Sequence, residues 1–511
     1  MEKKLSWQRD LSAGLVVFLV ALPLCLGIGL ASTNIEGIIG LPSLFSGLIA
    51  GIVGGIVVGA VSGSRLGVSG PAAGLITIVL VSISTLGSFE AFLLAVCISG
   101  LIQIIAGLLK FGVIANYIPS AVIKGMLAAI GITLILKELP HLVGYDADFF
   151  GDEAFEQTDG HNTFSELFYS INSLHLGATI IGISSIVGIL LFDKYLGKKG
   201  VFKWIPGALI FVVIGALVNL FFFKGDSNLY INEKHLVQIP LISGPTEFIG
   251  QFAFPDLSFL QNPNVYIIAF TLAIVGSLET LLSVEATDRL DPGKNTTPPN
   301  RELVAQGIGN LVSGLIGGLP ITQVIVRSSA NINAGGKSKI ATIFHGVLLL
   351  FAVMFMVNLL NTIPLSVLAA ILILIGYKLA SFDVIKKMYN SGWDQFIPFF
   401  STIMGVLFTD LLKGIAIGFA VAVFFILKRN YKNNFDKTEL NDEIVITLSE
   451  EITFLNKGGI QQTLLSIPEK SKVLIDGSRC KNIDHDVLEV IEEFKLHKAK
   501  LKQIELRLIN I

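Results

Sequence analysis

One acidic residue lies in the middle of an apolar stretch. Glu279 stands in the run IVGSLETLLSVEA, residues 274–286, beside Thr280 and one helical turn before Ser283. A carboxylate at the centre of a membrane helix costs roughly 2.5 to 3.5 kcal/mol to insert, so it usually has a function. A carboxyl near two hydroxyls can hold a proton or a sodium ion. We predict ion coupling through Glu279, Thr280 and Ser283; a permanently hydrogen-bonded neutral acid is the alternative.

The composition indicates that this stretch lies in a membrane. Of the 511 residues, 52% are hydrophobic and 15% are charged, whereas a soluble domain carries about a quarter charged residues. Cys25, Cys97 and Cys480 are too far apart for a disulfide framework or a metal motif. The sequence has no recognisable nucleophile or nucleotide motif. It predicts a multi-pass membrane protein in a lipid bilayer, without enzyme activity, a cofactor or a nucleic-acid partner.

Hydropathy divides the chain into fourteen segments and so predicts an even number of spans. Glycines at every fourth residue from Gly47 to Gly63 predict close packing of the second segment. The fourteen segments are 11–31, 42–61, 71–86, 89–109, 121–139, 176–192, 205–223, 265–285, 302–316, 321–334, 340–360, 364–377, 393–409 and 411–427.

The charges of the loops predict the orientation of the spans. Loop 140–175 has seven acidic residues and no Lys or Arg, whereas the loop after the sixth segment is rich in lysine. Because positive residues stay on the cytoplasmic side, the first loop is expected outside and the second inside. Continuing the count places both termini in the cytoplasm. We therefore expect a protein of the inner (cytoplasmic) membrane.

Two breaks occur at matching positions of the two seven-segment halves. SRLGVSGPAAG (64–74) and GGLPITQVIVRSSANINAGG (317–336) each put glycine and proline before a short apolar stretch. Paired interrupted segments are typical of a transporter's substrate site, because the N-terminus of a half-helix offers free N–H groups to an anion. Alternatively, Pro71 and Pro320 only kink two packed helices.

These motifs, together with SLETLLS and NRELVAQGIGN, resemble the signatures of the sulfate permease (SulP) family of anion transporters. The resemblance covers essentially the whole chain. It implies a uracil-permease-like α-helical fold of seven plus seven inverted spans. A core of segments 1–4 and 8–11 would move against a gate or scaffold of segments 5–7 and 12–14. It also implies a homodimer and a cytoplasmic STAS domain.

The resemblance also implies where the anion binds. The family's site lies between the N-termini of the third and tenth helices. Proline has no N–H, so the donors there are the neighbours of the two prolines. A positive side chain further along the tenth helix either adds potential at the site or pairs structurally. Carried over, the candidate substrate residues are Gly70, Pro71, Ala72, Ala73, Pro320, Ile321, Thr322 and Arg327, with Leu24 and Cys25 in the first span.

The first span favours one substrate over another. ALPLCLGIG departs from the Pro-Gln pattern of many sulfate-transporting relatives and is more similar to the bicarbonate-transporting branch. Bicarbonate is smaller and singly charged, so it needs fewer donors than sulfate. We expect secondary active transport of bicarbonate, with H⁺ as the preferred coupling ion and Na⁺ as the second choice. The alternatives are a proton-coupled sulfate permease and an uncoupled exchanger or channel. A nucleobase permease, which shares the implied fold, would be expected to carry a second carboxylate on the tenth segment. Residues 321–336 contain no Asp or Glu, which disfavours that function.

The C-terminal tail differs in character from the rest of the chain. We expect a transport domain over residues 1–430 and a cytoplasmic STAS-like domain over 431–511, in which short apolar strands alternate with amphipathic helices. His485 and Asp486 occupy the place of the phosphorylatable serine of regulatory relatives. Asp476, Asp484 and Asp486 are either metal ligands or, more commonly, solvated loop acids. The tail is expected to serve assembly and folding.

Overall fold

A computed structural model describes residues 2–32, 45–147, 150, 155, 162–196, 205–225, 228–239, 244–432, 435–440 and 443–511. The chain divides into two compact units, Met1–Gly418 and Phe419–Ile511. Most acids of loop 140–175 and Lys198, Lys199 and Lys203 of the next loop lie outside the described residues. The orientation of the spans therefore stays a prediction.

The first unit is almost entirely helical. Its first half contains α1 (Glu2–Ala31), α2 (Phe45–Val53), α3 (Gly59–Val61), β1 (Ser69–Pro71), α4 (Ile76–Leu86), α5 (Phe89–Leu108), α6 (Ser120–Leu142), α7 (Thr163–Asn172), α8 (Leu176–Leu191), α9 (Gly207–Leu217) and α10 (Pro245–Ile249). Its second half contains α11 (Pro263–Leu290), α12 (Pro299–Leu315), β2 (Ile321–Gln323), α13 (Ile325–Asn333), α14 (Ile340–Phe355), α15 (Val357–Leu360), α16 (Leu365–Leu379), α17 (Phe382–Asn390), α18 (Trp393–Phe408) and α19 (Leu411–Lys432).

Within the described residues, each of the fourteen predicted segments is mainly helical. Among the described residues, seven helices are long and apolar enough to cross a membrane, and four more apolar helices are shorter. The second segment is α2 and α3 joined through a turn of π-helix, Gly54–Val58. The tenth differs from the prediction, because it begins as strand β2 and becomes helical only at Ile325. The predicted fold class, a polytopic helical protein with a seven-plus-seven arrangement, is confirmed.

The two breaks meet as a short antiparallel pair of strands. Ser69 lies opposite Gln323, Gly70 opposite Thr322 and Pro71 opposite Ile321. The residue before a proline is biased towards extended backbone, which favours a strand at each break over a continued helix. After β1 a 3₁₀ turn, Ala73–Leu75, leads into α4, and after β2 the helix α13 follows Val324. Both helices therefore begin at the crossing point.

Glycines allow the helices around the strands to pack closely. A Cβ added to Gly55 would lie 2.7 Å from the Cα of Gly346 in α14. Likewise, a Cβ on Gly100 of α5 would lie 2.6 Å from the carbonyl oxygen of Gly307 in α12. Such distances leave no room for a side chain, so the backbones touch through hydrogen atoms alone. The close approach predicted for the glycine face of the second segment is present.

The second unit is a small α/β fold, and it fits a STAS domain. Its elements are the end of α19, β3 (Phe435–Leu440), β4 (Glu443–Leu448), β5 (Glu451–Ile452), α20 (Lys457–Leu465), β6 (Lys472–Asp476), β7 (Asn482–Ile483), α21 (His485–Glu493), α22 (Ala499–Leu501) and β8 (Glu505–Ile509). The four-stranded sheet has the order β3-β4-β6-β8, with β3 antiparallel and the others parallel. Alternating burial along β4 directs Ile444, Ile446 and Leu448 into the core.

Candidate functional site

The beginning of α13 presents backbone donors at the crossing point. The N–H of Val324 is already bonded to the carbonyl oxygen of Val68, at 2.9 Å. A helix leaves its first N–H groups without intrahelical partners, which here are those of Ile325, Val326 and Arg327. The N-terminus of α13 also carries the positive pole of the helix dipole. The geometry can therefore attract an anion to the point where β1 and β2 meet.

Arg327 brings a full positive charge to the crossing point. Its side chain is 0% exposed, and one terminal nitrogen, Nη2, lies 3.5 Å from the carbonyl oxygen of Pro71. Its Nε and Nη1 have no hydrogen-bond partner among the described residues. A Cβ on Gly70 would overlap Nη1, so glycine is required there for the guanidinium to approach β1. A buried guanidinium with unfilled donors is suited to receive an anion.

Glu279 faces the crossing point from α11. It is 6% exposed, and a Cβ on Gly74 would lie 3.3 Å from its Oε1, so the carboxyl lies against the 3₁₀ turn. The hydroxyl of Thr280 accepts a long hydrogen bond, 3.4 Å, from the N–H of Gln323. Ser283 is also buried, and its carbonyl oxygen accepts from the hydroxyl of Thr287. The predicted coupling residues thus lie on the α11 face towards β2.

The remaining predicted residues surround the same point. Thr322 is fully buried, and its hydroxyl has no hydrogen-bond partner among the described residues. Cys25 of α1 is fully buried and lies close enough to Arg327 for its thiol to interact with the guanidinium. Its neighbour Leu24 is buried in the same helix. The predicted residues also include Pro320 and Ala72, both buried, and Ala73, which is half-buried.

A polar face of α12 at the crossing point was missed from the sequence. Its buried residues are Glu302, Gln306, Asn310 and Ser313, which we call the α12 polar face. They recur at intervals of four, four and three, the spacing of one helix face. That regular spacing, from Glu302 to Asn310 inside NRELVAQGIGN and on to Ser313 after it, was a signal that could have found them. Also missed was His345 of α14, fully buried with no hydrogen-bond partner on Nε2.

Two cavities lie where α11 and α13 approach α6, α8 and α16. The larger, about 840 Å³, is lined by basic residues including Lys124, Arg289 and Lys378, and by the acids Glu285 and Asp288. The smaller, about 420 Å³, lies along α1, α8, α13 and α16, and Lys378 lines it too. The excess of basic residues favours anions in the larger cavity. In the smaller one Lys378 is balanced by Asp193.

A separate cluster of buried titratable residues lies at the end of α6. The two carboxylate oxygens of Asp146 each lie 2.5 Å from a ring nitrogen, Nδ1 of His141 and Nδ1 of His235. Burial alone would raise the pKa of Asp146, but the hydrogen bonds from both histidines outweigh it and hold the pKa below its usual value. Burial and the charge of His235 lower the pKa of His175, whose ring lies 5.2 Å from that of His235.

The acids of the tail have structural roles. The carboxylate of Asp484 accepts from the N–H of Asp486 and begins α21. The carboxylate of Asp476 accepts from the N–H of Ser478, and these bonds lower the pKa of Asp476. Among the described residues, His485, Asp486 and Glu489 are the group whose ligand atoms lie close enough for a metal, but His485 and Glu489 are exposed. Exposed acidic groups of this kind need no ion.

Comparison with known proteins identifies the family. Residues 7–402 match the Sulfate permease family. "Putative sulfate transporter YvdB" of Bacillus subtilis is 28% identical over 425 residues, which cover 83% of this chain and 74% of that protein. "Bicarbonate transporter BicA" of Picosynechococcus sp. is 25% identical over 451 residues, covering 86% of this chain and 75% of that protein.

Solved structures share the fold. The transmembrane domain of a cyanobacterium bicarbonate transporter BicA matches with a TM-score of 0.55 at 23% identity, covering 81% of this chain and 97% of that one. The murine Solute Carrier 26 family member A9 anion transporter matches with a TM-score of 0.69 at 16% identity, covering 98% of this chain and 85% of that one. With the match over residues 7–402, the conclusion is that this multi-pass membrane protein belongs to the sulfate permease family of anion transporters.

Proposed function

We propose that the protein is a secondary active transporter of a small inorganic anion, bicarbonate in the first place. Uptake is coupled to H⁺, or failing that to Na⁺, through Glu279. The anion binds at the crossing of β1 and β2, and the core helices then carry it past the scaffold helices. One observation carries the proposal: Arg327 is fully buried, and its nitrogens Nε and Nη1 have no hydrogen-bond partner among the described residues.

The unfilled donors support an anion as the substrate. Burying a charge without a partner is costly, so a guanidinium in this position needs a negative group within reach. Pro71 supplies only a carbonyl oxygen at 3.5 Å, which leaves Nε and Nη1 open. The hydroxyl of Thr322 and the first N–H groups of α13 add neutral donors. The guanidinium, the hydroxyl and the backbone N–H groups together resemble an anion cradle, formed at the junction of the two repeats.

The number of donors favours a small monovalent anion. Sulfate carries two charges and four oxygens, whereas the cradle offers one cationic side chain and few hydroxyls. Bicarbonate needs fewer donors and matches the single charge of Arg327. The relatives include a protein named as a bicarbonate transporter and one named as a sulfate transporter. Sulfate therefore remains the second candidate, and direct competition between the two anions decides between them.

Glu279 supports coupling. Its carboxyl lies against Gly74 at the start of the first half-helix, close to where the anion is proposed to bind. An ionised carboxylate beside a bound anion repels it, whereas a protonated or sodium-paired carboxyl does not. Binding of the cation and of the anion then favour each other. The longer Glu, in place of Asp, makes a proton the first choice.

The remaining parts of the proposal concern movement and assembly. We assign residues 1–430 to transport, with segments 1–4 and 8–11 as the moving core, and residues 431–511 to the STAS-like domain. Both cavities lie at the seam between core and scaffold helices, which supports a path that opens there. We propose a homodimer in the inner membrane with both termini in the cytoplasm.

Replacing Glu279 by Gln tests the coupling. Glutamine keeps the size of the side chain and fixes it in a neutral form. In proteoliposomes with an imposed proton or sodium gradient, Glu279→Gln should lose accumulation of labelled bicarbonate, while exchange of internal for external anion persists. Glu233→Gln, on an exposed side chain that lines neither cavity, is the matched control and should accumulate normally. Accumulation by Glu279→Gln equal to the parent's would remove the coupling role.

The same assay separates the alternatives. An uncoupled exchanger or channel would equilibrate labelled anion at the same rate with and without either gradient. Parallel reactions with labelled sulfate report the second candidate, because the preferred anion should block uptake of the other at lower concentration. Bulky replacement at Ala72 or Thr322 should raise KM or stop uptake of both.

A further inference from the structure

The α12 polar face is a buried polar group of the first unit that the proposed mechanism leaves unused. Glu302, Gln306, Asn310 and Ser313 are each at most 3% exposed, on a helix that packs closely against α5. Polar side chains are costly inside a membrane protein unless they are hydrogen-bonded. Their partners therefore indicate why these residue types are present.

Asn310 holds the backbone of β2. Its Oδ1 accepts from the N–H of Ile321 at 2.6 Å, and its Nδ2 donates to the carbonyl oxygen of the same residue at 3.0 Å. The side chain thus binds both backbone groups of one strand residue, as a neighbouring strand would. Its Nδ2 also donates to Oε1 of Gln103 in α5, at 2.8 Å, which fixes the orientation of the amide.

The other members of the face hold the flanking residues. The side-chain amide of Gln306 donates to the hydroxyl of Ser69 in β1 at 2.6 Å and to Glu302 at 3.1 Å. The hydroxyl of Ser313 donates to the carbonyl oxygen of Leu319, just before β2, at 2.7 Å. The hydroxyl of Ser62, at the end of α3, donates to Glu302. One helix face therefore contacts both strands and the end of α3.

We propose that the α12 polar face is the positioning element of the anion site, and that Asn310 is the residue that sets the position of β2. The inference rests on the proposed site at the crossing of β1 and β2. Ile321 lies one residue before Thr322 and shortly before the first N–H groups of α13. A shift of Ile321 therefore moves the hydroxyl of Thr322 relative to Arg327 and to the start of α13.

The chemistry of Ile321 requires an amide at position 310. Its backbone offers one donor and one acceptor, and an amide side chain presents the complementary pair on two atoms of one planar group, whatever the pH. Asn310→Asp keeps the acceptor but loses the donor while ionised. Asn310→Leu keeps the approximate volume but leaves both backbone groups of Ile321 without a partner, which is the more costly change.

Asn219 provides a matched control. Its Oδ1 accepts from the N–H of Ile231 at 2.8 Å, and its Nδ2 donates to the carbonyl oxygen of Ile231 at 3.2 Å. The chemistry and the burial are the same as at Asn310, but the bonds lie beyond α9 and touch neither strand of the crossing. Loss of either pair should reduce stability to a similar extent.

The experiment compares Asn310→Asp, Asn310→Leu and Asn219→Asp in full-length protein. Uptake of labelled bicarbonate and of labelled sulfate in proteoliposomes gives KM and kcat, and hydrogen exchange of the peptide covering residues 319–324 reports the backbone of β2. We expect Asn310→Asp to raise KM about tenfold, with a smaller change in kcat and faster exchange in that peptide. Asn219→Asp should lower the melting temperature but leave KM and that exchange within twofold.

The outcomes separate the two proposals. Parent-like exchange and KM in the Asn310 variants, or an equal rise of KM in Asn219→Asp, overturns the positioning role. The buried carboxyl that Asn310→Asp introduces regains a donor when it is protonated. A parent-like result in Asn310→Asp therefore counts against the role when Asn310→Leu, or Asn310→Ala if Asn310→Leu does not fold, is parent-like too. Thr322→Trp tests the site itself, and unchanged uptake in this variant removes the anion site from the crossing. That conclusion holds even if faster hydrogen exchange in Asn310→Asp shows that Asn310 holds β2. Impaired uptake in Thr322→Trp with parent-like Asn310 variants leaves the site and removes only the positioning role.

Discussion

The two strands of the crossing are related by the repeat but are held in different ways. β2 is bound by side chains of its own half, because Asn310 bonds both backbone groups of Ile321 and Thr280 accepts from the N–H of Gln323. β1 receives its side-chain contacts from the other half, from Gln306 to Ser69 and from Arg327 to the carbonyl oxygen of Pro71.

The charges are distributed in the same unequal way. The buried charged residues at the crossing, Glu279, Glu302 and Arg327, all belong to the second half. The first half contributes backbone, with Gly70 beside the guanidinium and Gly74 beside the carboxyl. The difference teaches that a repeated topology does not repeat its chemistry: one half carries the charged side chains, and the other supplies the space in which they act.

The largest effect is expected from Arg327→Gln. This change removes the buried charge and two of the unfilled donors, and bonds to a charged group contribute about 1.5–3 kcal/mol each. We expect uptake of labelled bicarbonate to fall at least about a hundredfold, the fold-change for about 2.7 kcal/mol. Arg301→Gln, on an exposed side chain that bonds the carbonyl oxygen of Val61, is the control. Uptake by Arg327→Gln within threefold of the parent contradicts the role.

A smaller effect should distinguish the two glycines of the first half. A Cβ at Gly70 overlaps Nη1 of Arg327, whereas a Cβ at Gly74 lies 3.3 Å from Oε1 of Glu279 and needs only a small adjustment. Gly70→Ala should therefore raise KM about tenfold, and Gly74→Ala should change mainly the dependence of uptake on the ion gradient. Equal changes of KM in the two variants would show that Gly70 and Gly74 do not make room for separate functions of Arg327 and Glu279.

A modest effect is expected from Thr280→Val. The substitution removes one long hydrogen bond, 3.4 Å, to the N–H of Gln323. One such bond contributes about 0.5–1.5 kcal/mol, so KM should rise roughly two- to tenfold. Thr271→Val removes only a bond to the backbone of the same helix on an exposed side chain and is the control. Uptake kinetics measured for both variants should differ; identical kinetics would mean that β2 does not depend on Thr280.

The smallest effect on transport is expected at the Asp146 cluster, which contacts neither strand. A lowered pKa means that the interactions of Asp146 stabilise the fold above its unfolded pKa, about 3.9, and that this contribution disappears as the pH falls through the folded pKa. Asp146→Asn should lower the melting temperature at pH 7, and the difference from the parent should shrink below about pH 4. KM should stay unchanged; a shifted KM would connect this cluster to the crossing.

Much of the architecture followed from local properties of the sequence. Hydropathy located all fourteen segments, because the length and the apolar character of a span are properties of consecutive residues. The breaks at Pro71 and Pro320 were visible for the same reason. Glu279 was found because an acid inside an apolar run contradicts its surroundings. The motif NRELVAQGIGN was seen as a signature, but its hydrogen-bond partners were not predictable, since they lie on other elements.

The spans, the two breaks, Glu279 and Arg327 follow from the order of the residues alone. Packing of the helices decided that the breaks pair in register, with Gly70 opposite Thr322, and that the tenth segment starts as strand β2. It also decided that Asn310 reaches Ile321 and that Arg327 reaches Pro71. Hydropathy depends on neighbours along the chain, whereas register and hydrogen-bond partners depend on contacts between residues that are far apart in sequence and meet only when the helices pack.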